Sequence, residues 1–589
     1  MREELCVTIP QGKLVGKEWI STFTGDTYYG FSGIPYAKTP TGELRFKAPE
    51  PADNWEGVRD ATIEGSDCMQ FNLLEYVVQG SEDCLYANVY SPEPPCKITK
   101  LKPVMVMIHW GGSAWGSGSA KLFGNVDYMM NSDIVIVTFN YRLHIFGFLN
   151  LGIPECPGNM GLKDQVMLLK WVQNNIKYFG GDPNDVTLFG SSSGASNANL
   201  HMMSPMSEGL FHKVILQSGH GLIPLWGYQK SPFDRALELA VVMGFSGQRT
   251  PIRLLEFFKR KSGRDLIAGF ATLRHLSKEQ NDVKCETCLF LPSVEKIKEG
   301  AFMYKTPREM MADIRPVPTL LSMNEKEGIL AFCADMFKII PKKLGKSIRE
   351  HLWQYNVSAD TIRTMTKTIR SFYFKKKDEP TVDEIINLYT DLWFCEWNNT
   401  IDLLATHPDS PPVYIYHFTF DGEYNFSKKF FAKIMPEKFT VTGAIHADDA
   451  SYLIAYKMFL EETNGKIEYK PKESEIIRKM VSIVTTFVKT GNPNNESIRE
   501  VNWKPFHPEN PSHLLFDEKL SIVDGRINPD RVALWNEFID CIKNKESTCK
   551  PEKTSAKILS DVQVGPLTMS PNQVLQHMKT SYQSFLDGK

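Results

Sequence analysis

Short apolar runs with few charges recur along the chain. Between them lie longer stretches in which apolar positions return at helical spacing. Pro103 to Trp110 and Asp133 to Tyr141 are rich in Val, Ile and Met, as strands buried on both faces should be. Val186 to Phe189 and Lys213 to Gln217 read the same way, and a later strand pair is predicted at Val317 to Leu321 and Val413 to Phe420. Gly161 to Phe179 carries Leu162, Leu169, Val172 and Ile176 on one helical face, and Ala195 to Met203 is helix-capable. Strand and helix in alternation predict an α/β chain: a large, mostly parallel central sheet flanked by helices. Residues 225–310 and 335–405 are helical, charged and irregular, and are expected to form lid or wall insertions over a pocket. One domain is expected over residues 1–545, closing with a helix at Asp530 to Lys543. Residues 546–589 then form an extension, partly disordered or carrying a short helix after Ser570-Pro571.

Composition narrows the partners. In 589 residues, 42% are apolar and 23% charged, an ordinary globular balance, and the formal net charge of −2 argues against a nucleic-acid partner. The apolar runs have strand length, well short of the roughly 20 residues that span a bilayer. MREELCVTIPQGKL lacks an apolar signal core, so a cytoplasmic protein is expected, or a secreted one if the numbering starts on a trimmed chain. Eleven cysteines at low density do not form a disulfide scaffold. Cys285-Glu286-Thr287-Cys288 is a single CxxC without a second pair nearby, so free thiols or a local disulfide are expected there rather than a metal site.

The chemistry centres on Ser192. It sits in Gly190-Ser191-Ser192-Ser193-Gly194, directly after the strand Val186 to Phe189 and before a helix. A serine hydroxyl becomes a useful nucleophile when a sharp strand-to-helix turn holds it exposed beside a base, and flanking glycines permit that turn. Only Ser192 of the three serines has glycine two residues away on both sides. Such a serine needs a base, an orienting acid and oxyanion donors. His109-Trp110-Gly111-Gly112 ends a strand and opens into a Gly/Ser-rich loop whose N–H groups can face a ligand. Glu327 follows a strand end, where α/β sheets place functional groups. His446 lies in Gly443-Ala444-Ile445-His446-Ala447-Asp448-Asp449, and one of the two aspartates is expected to cap a helix beginning after it. Ser, acid, His is the chain order of the α/β-hydrolase triad.

These motifs resemble the type-B carboxylesterases, the family that also contains cholinesterases and insect α-esterases. The likeness spans about residues 5 to 545. It rests on Glu82-Asp83-Cys84-Leu85-Tyr86-Ala87-Asn88-Val89, Phe139-Asn140-Tyr141-Arg142-Leu143, Pro157 to Gln165, Gly180-Gly181-Asp182-Pro183, Gln217-Ser218-Gly219 and Thr490-Gly491-Asn492-Pro493. His446-Ala447-Asp448-Asp449 looks most like the intracellular insect α-esterases. The resemblance implies an α/β-hydrolase fold and a serine esterase that acts through an acyl-enzyme on xenobiotic or lipid-like esters. Ser192 would be the nucleophile, His446 the base, Glu327 the orienting acid, and the N–H groups of Gly111, Gly112 and Ser193 the oxyanion hole. No metal or organic cofactor is implied. Cys68 and Cys84 match a family disulfide, which in a cytosolic chain can equally be reduced. A monomer or weak homodimer is expected.

The chain departs from the family at several positions. Trp110 replaces the first glycine of three, Ser113 a bulky aromatic, Ser191 an acidic, amide or imidazole side chain, and Ser193 an alanine. His144 stands where glycine is usual. Trp110, Ser113 and Ser191 are therefore expected to shape the substrate pocket. No tryptophan lies between Cys68 and Cys84, where cholinesterases place a cation-binding indole, which argues against a choline ester. Two other roles fit the same fold: a slow esterase that sequesters toxic or hormone esters, and a non-catalytic adhesion protein. The intact Ser192, Glu327 and His446 speak against the second.

Overall fold

A computed structural model describes residues 3–546 except 73–74, 121–123, 224–226, 280–289, 331–335, 353–354, 356, 376–379, 435–440, 457–461 and 464–465. Eleven strands form one sheet. In chain order they are β1 (Lys17–Ile20), β2 (Thr27–Pro35), β3 (Tyr86–Ser91), β4 (Lys102–Ile108), β5 (Val135–Phe139), β6 (Gly181–Ser191), β7 (Lys213–Gln217), β8 (Thr319–Asn324), β9 (Val413–Phe418), β10 (Ser512–Phe516) and β11 (Ser521–Asp524). Their spatial order is β11-β10-β9-β8-β7-β6-β4-β5-β3-β2-β1. The neighbours from β10 across to β5 pair parallel, and only the outer pairings are antiparallel. The mostly parallel sheet expected from the alternating pattern is present.

Alternation along the strands explains why the central ones are apolar throughout. Val104, Val106 and Ile108 of β4 join the core on one face with Val135, Val137, Leu188 and Leu216. Met105 and Met107 join the other with Ile136, Phe189, Ile215 and Leu320. Successive side chains point to opposite faces, and helices cover both. One face carries α1 (Met160–Asn175) and α2 (Ser193–Met203), the other α6 (Pro471–Thr490). The insertions expected at 225–310 and 335–405 do carry helices, among them α3 (Gly263–Glu279) and α4 (Val382–Phe394). The helix α5 (Phe426–Ile434) follows β9. The closing helix, α7, spans Pro529–Glu546.

Strand ends differ from the sequence reading in one useful way. The strand expected at Val317 to Leu321 begins at Thr319 and runs on to Asn324, in register with β9 through Asn324–Phe418. The longer strand leaves Glu327 one short turn beyond the sheet's carboxyl edge. Cys285 and Cys288, and the extension 547–589, lie outside the described residues. Among the described residues no helix is long and apolar enough to cross a membrane.

Cys68 and Cys84 form a disulfide that closes a 16-residue separation near the amino-terminal end of β3. Closing a loop of that size removes unfolded-state freedom worth about 3 kcal/mol. Replacing both cysteines by serine should lower the melting temperature by a few degrees in differential scanning calorimetry. An unchanged transition would contradict a stabilising disulfide.

Candidate active site

The turn at Ser192 is made by crowding. Ser192 has φ 56° and ψ −124°, a conformation side chains rarely adopt. A Cβ on Gly190 would lie 2.2 Å from the carbonyl group of Gly194, and one on Gly194 would lie 2.2 Å from the Ile108 oxygen. Gly219 faces the same turn, where a Cβ would meet the Ser192 oxygen at 2.3 Å. The Ser192 N–H donates to the Gln217 carbonyl at 2.8 Å, tying the turn to the end of β7. Glycines on three sides thus let the strand stop, reverse and enter α2 while Ser192 stands clear.

The side chains separated in sequence converge here. His446 Nε2 lies 2.8 Å from Ser192 Oγ, and His446 Nδ1 lies 2.5 Å from Glu327 Oε2. All three are buried, Glu327 completely and Ser192 to all but 7%. The other Glu327 oxygen accepts the backbone N–H of Asn324 at 2.7 Å and its side-chain amide at 3.3 Å. Both oxygens of the carboxylate are therefore engaged, and it faces the imidazole in one pose. Gly328 makes this possible: its N–H donates to Thr390 Oγ1 on α4, and a Cβ there would lie 2.1 Å from the Ile386 oxygen.

The loop after β4 supplies the other wall. Gly111 and Gly112 have φ 117° and 64°, and a Cβ on Gly111 would lie 2.0 Å from the Trp115 oxygen. Ser113 continues the left-handed run at φ 57°. Its N–H donates to Ser193 Oγ at 3.3 Å, so the loop is tethered to the residue after Ser192. Ser193 opens α2, where the first N–H groups lack helical partners and the helix dipole favours negative charge. His109 holds the loop from below: its ring stacks on Tyr141, whose hydroxyl donates to the His109 carbonyl at 3.1 Å. Burial pulls the His109 imidazole down to about 4, so it is neutral at physiological pH.

Trp110 packs against the core on the sheet face that carries Met105 and Met107. It is half-buried, its indole N–H donates to Tyr456 OH at 2.9 Å, and its ring meets Trp115 edge-on at 4.8 Å and Phe426 at 5.2 Å. Phe430 stacks on Trp115 at 4.9 Å. Together these rings form an aromatic wall beside the glycine loop.

Sequence reasoning missed the layer behind Ser192, His446 and Glu327. Asn324 binds Glu327, donates to Ser218 Oγ at 2.5 Å and to Asp449 Oδ1 at 3.0 Å, and accepts the Asp449 N–H at 3.3 Å. Ser218 Oγ also accepts the N–H of Ala447 at 3.0 Å, fixing the residue next to His446. Asp449 further accepts from Ser322 at 2.5 Å and Tyr416 at 2.9 Å. Burial pushes its carboxyl above the usual carboxylate range, against the pull of those hydrogen bonds. The expected helix cap is corrected: Ala447 occupies the cap of the short turn Asp448–Tyr452, without a side-chain cap bond. Asp448 instead accepts the backbone N–H groups of Ile445 and Lys428. The sequence marks Gln217-Ser218-Gly219 as a motif without a role and Asp448-Asp449 as a cap, and gives no signal for Asn324.

This arrangement stands in a recognisable group. A sequence model of the carboxylesterase family matches residues 3–535. The chain belongs to the carboxylesterase family. The esterase is 34% identical over 538 residues to a juvenile hormone esterase of Tribolium castaneum, an alignment covering 86% of this chain and 87% of that one. It is 31% identical to esterase FE4 of Myzus persicae, over 87% and 89% of the two chains. The crystal structure of juvenile hormone esterase from Manduca sexta, with OTFP covalently attached, superposes with a TM-score of 0.79 at 28% identity, covering 92% of this chain and 99% of that one. The fold is that of the α/β-hydrolases, and the enzyme is a serine esterase that hydrolyses carboxylic esters.

The esterase's two nearby acids separate the site from its surroundings. Glu325 is only half-buried and lies against Gly443, whereas Glu327 is held by three hydrogen bonds with Asn324 and His446. Glu327→Gln should lower kcat by roughly 10⁴-fold, as loss of the orienting acid does in other serine hydrolases. Glu325→Gln should change it less than about threefold, a surface-type effect. Equal losses in steady-state kinetics would contradict the assignment.

Proposed function

We propose that Ser192, His446 and Glu327 carry out the hydrolysis, with the N–H groups of Gly111, Gly112 and Ser193 as the oxyanion hole. Ser192 Oγ attacks the ester carbonyl carbon while its proton passes to His446 Nε2. The carbonyl oxygen takes up the negative charge and draws on those three donors. Collapse breaks the bond to the alkoxy oxygen, and His446 returns the proton to the departing alcohol. Water then adds to the acyl group with His446 again as base, and the acid leaves with Ser192 regenerated. Glu327 keeps the imidazole in the tautomer that presents Nε2 and stabilises its cation. The single observation that carries this reading is the 2.8 Å contact of Ser192 Oγ with a histidine already oriented by a buried carboxylate.

The substrate class is an ester with a substantial apolar portion, lipid-like or xenobiotic. Support comes from the aromatic wall of Trp110, Trp115 and Phe430, and from relatives named for the ester of a hormone. Ser113 and Ser191, beside the glycine loop and the nucleophile, complete the pocket lining.

Ser192→Ala should abolish steady turnover of p-nitrophenyl esters, by roughly 10⁴- to 10⁶-fold in kcat. Ser191→Ala should retain most activity, and the reverse pattern would overturn the choice of nucleophile. Trp110→Gly opens the wall, so kcat/KM for long-chain esters over acetate should rise roughly 10-fold, the effect of one or two methylenes of pocket space. An unchanged ratio with a lowered melting temperature would mean that Trp110 only packs.

A further inference from the structure

Three of the positions at which this chain departs from its family share a physical property. Ser113, Ser191 and His144 are polar, and each is at most 1% exposed. Among the described residues, Ser113 Oγ, Ser191 Oγ and both ring nitrogens of His144 have no hydrogen-bond partner. A buried polar group left unpaired has lost its bonds to water without replacement, which is costly. Two of the three also hold left-handed backbone, Ser113 at φ 57° and His144 at φ 59°, a conformation that side chains rarely adopt. Unpaired and strained groups gather where strain serves function more often than elsewhere.

Their placement is not scattered. Ser113 directly follows the oxyanion glycines, and Ser191 directly precedes the nucleophile. The His144 N–H donates to the Ser113 carbonyl at 2.8 Å, so the two left-handed residues are hydrogen-bonded to each other. The His144 ring stands edge-on to Phe270 of α3 at 3.6 Å and near Phe290 at 5.7 Å. Burial pulls this imidazole down to about 3, so it is neutral and offers one N–H donor and one acceptor nitrogen. A neutral imidazole flanked by two phenylalanines, on a residue whose backbone is bonded to the serine after the glycine loop, is equipped to hold an oxygen function inside an otherwise apolar ligand.

We propose that Ser113 and His144, with Ser191 across the nucleophile, form a polar subsite that selects esters carrying a hydrogen-bonding oxygen close to the scissile carbonyl. The matching group is a hydroxyl, ether or keto oxygen within a few bonds of the ester, in the acyl or the alcohol portion. This deepens the proposed function and rests on its assignment of Ser192 and the glycine loop. A site built to pair such an oxygen rejects the all-carbon analogue, because the protein's own groups are then left unpaired again.

Two matched series test it. In one, p-nitrophenyl alkanoates are compared with alkoxyalkanoates of equal length. In the other, alkyl hexanoates are compared with alkoxyalkyl hexanoates, read by acid release. The native enzyme should favour the oxygenated member by about 10-fold or more in kcat/KM in at least one series, and the series that responds tells which side of the ester occupies the subsite. Ser113→Ala and His144→Phe should each bring that ratio close to one. His144→Gly should do the same, since it removes the imidazole altogether. A native ratio near one in both series overturns the subsite. So does a native preference that survives in every variant that folds. If no ester of either series is hydrolysed, it is the assignment of the catalytic groups that fails, and Ser192→Ala controls separate the two cases.

Discussion

The strained turn at Ser192 is the constraint on which the rest of the site depends. A serine at φ 56° and ψ −124° is held there because the chain has no room to relax. Gly190, Gly194 and Gly219 bring backbone against backbone on three sides, and the Ser192 N–H is anchored to β7. The turn works only because β6, β4 and β7 are central parallel strands with their carboxyl ends aligned. The glycine loop after β4 and Glu327 beyond β8 are delivered to the same edge for the same reason.

Strain is concentrated around that edge. Ser113, His144, Ser192, Ser218 and Ala447 account for half of the ten non-glycine residues with positive φ among the described residues. Each is over-determined by hydrogen bonds: Ser113 to Ser193 and His144, Ser218 to Asn324 and Ala447, and Ala447 beside the oriented His446. Asn324 is the hub, touching Glu327, Ser218 and Asp449 at once. A buried network of this kind is stable only when its members are satisfied, so a change at Asn324 should reach the imidazole although it never touches the substrate.

The sheet and the residues proposed as the triad are legible because they leave local signals. Uncharged apolar runs mark strands buried on both faces, and Gly-x-Ser-x-Gly after such a run marks the turn. Glu327 and His446 are weak alone and become readable through chain order and family likeness. The second layer was not legible. Ser218, Asn324 and Asp449 are ordinary polar residues whose roles arise from pairings over more than a hundred residues, which no local pattern encodes. A carboxylate after a loop usually caps a helix, so Asp448-Asp449 suggests a cap from one of the two, yet Ala447 holds that position without a side-chain cap bond. The strand before Glu327 was read three residues short because Ser322 and Asn324 look polar, yet both are buried and satisfied inside the network.

The central claim is that the activated hydroxyl among three adjacent serines is that of Ser192. Treating the native protein with a fluorophosphonate ester, then locating the adduct by peptide mass spectrometry, tests it directly. One phosphonyl group per chain, on Ser192 and absent from the His446→Ala protein over the same interval, is the predicted result. Labelling spread over Ser191 and Ser193, or undiminished when His446 is replaced, would contradict it.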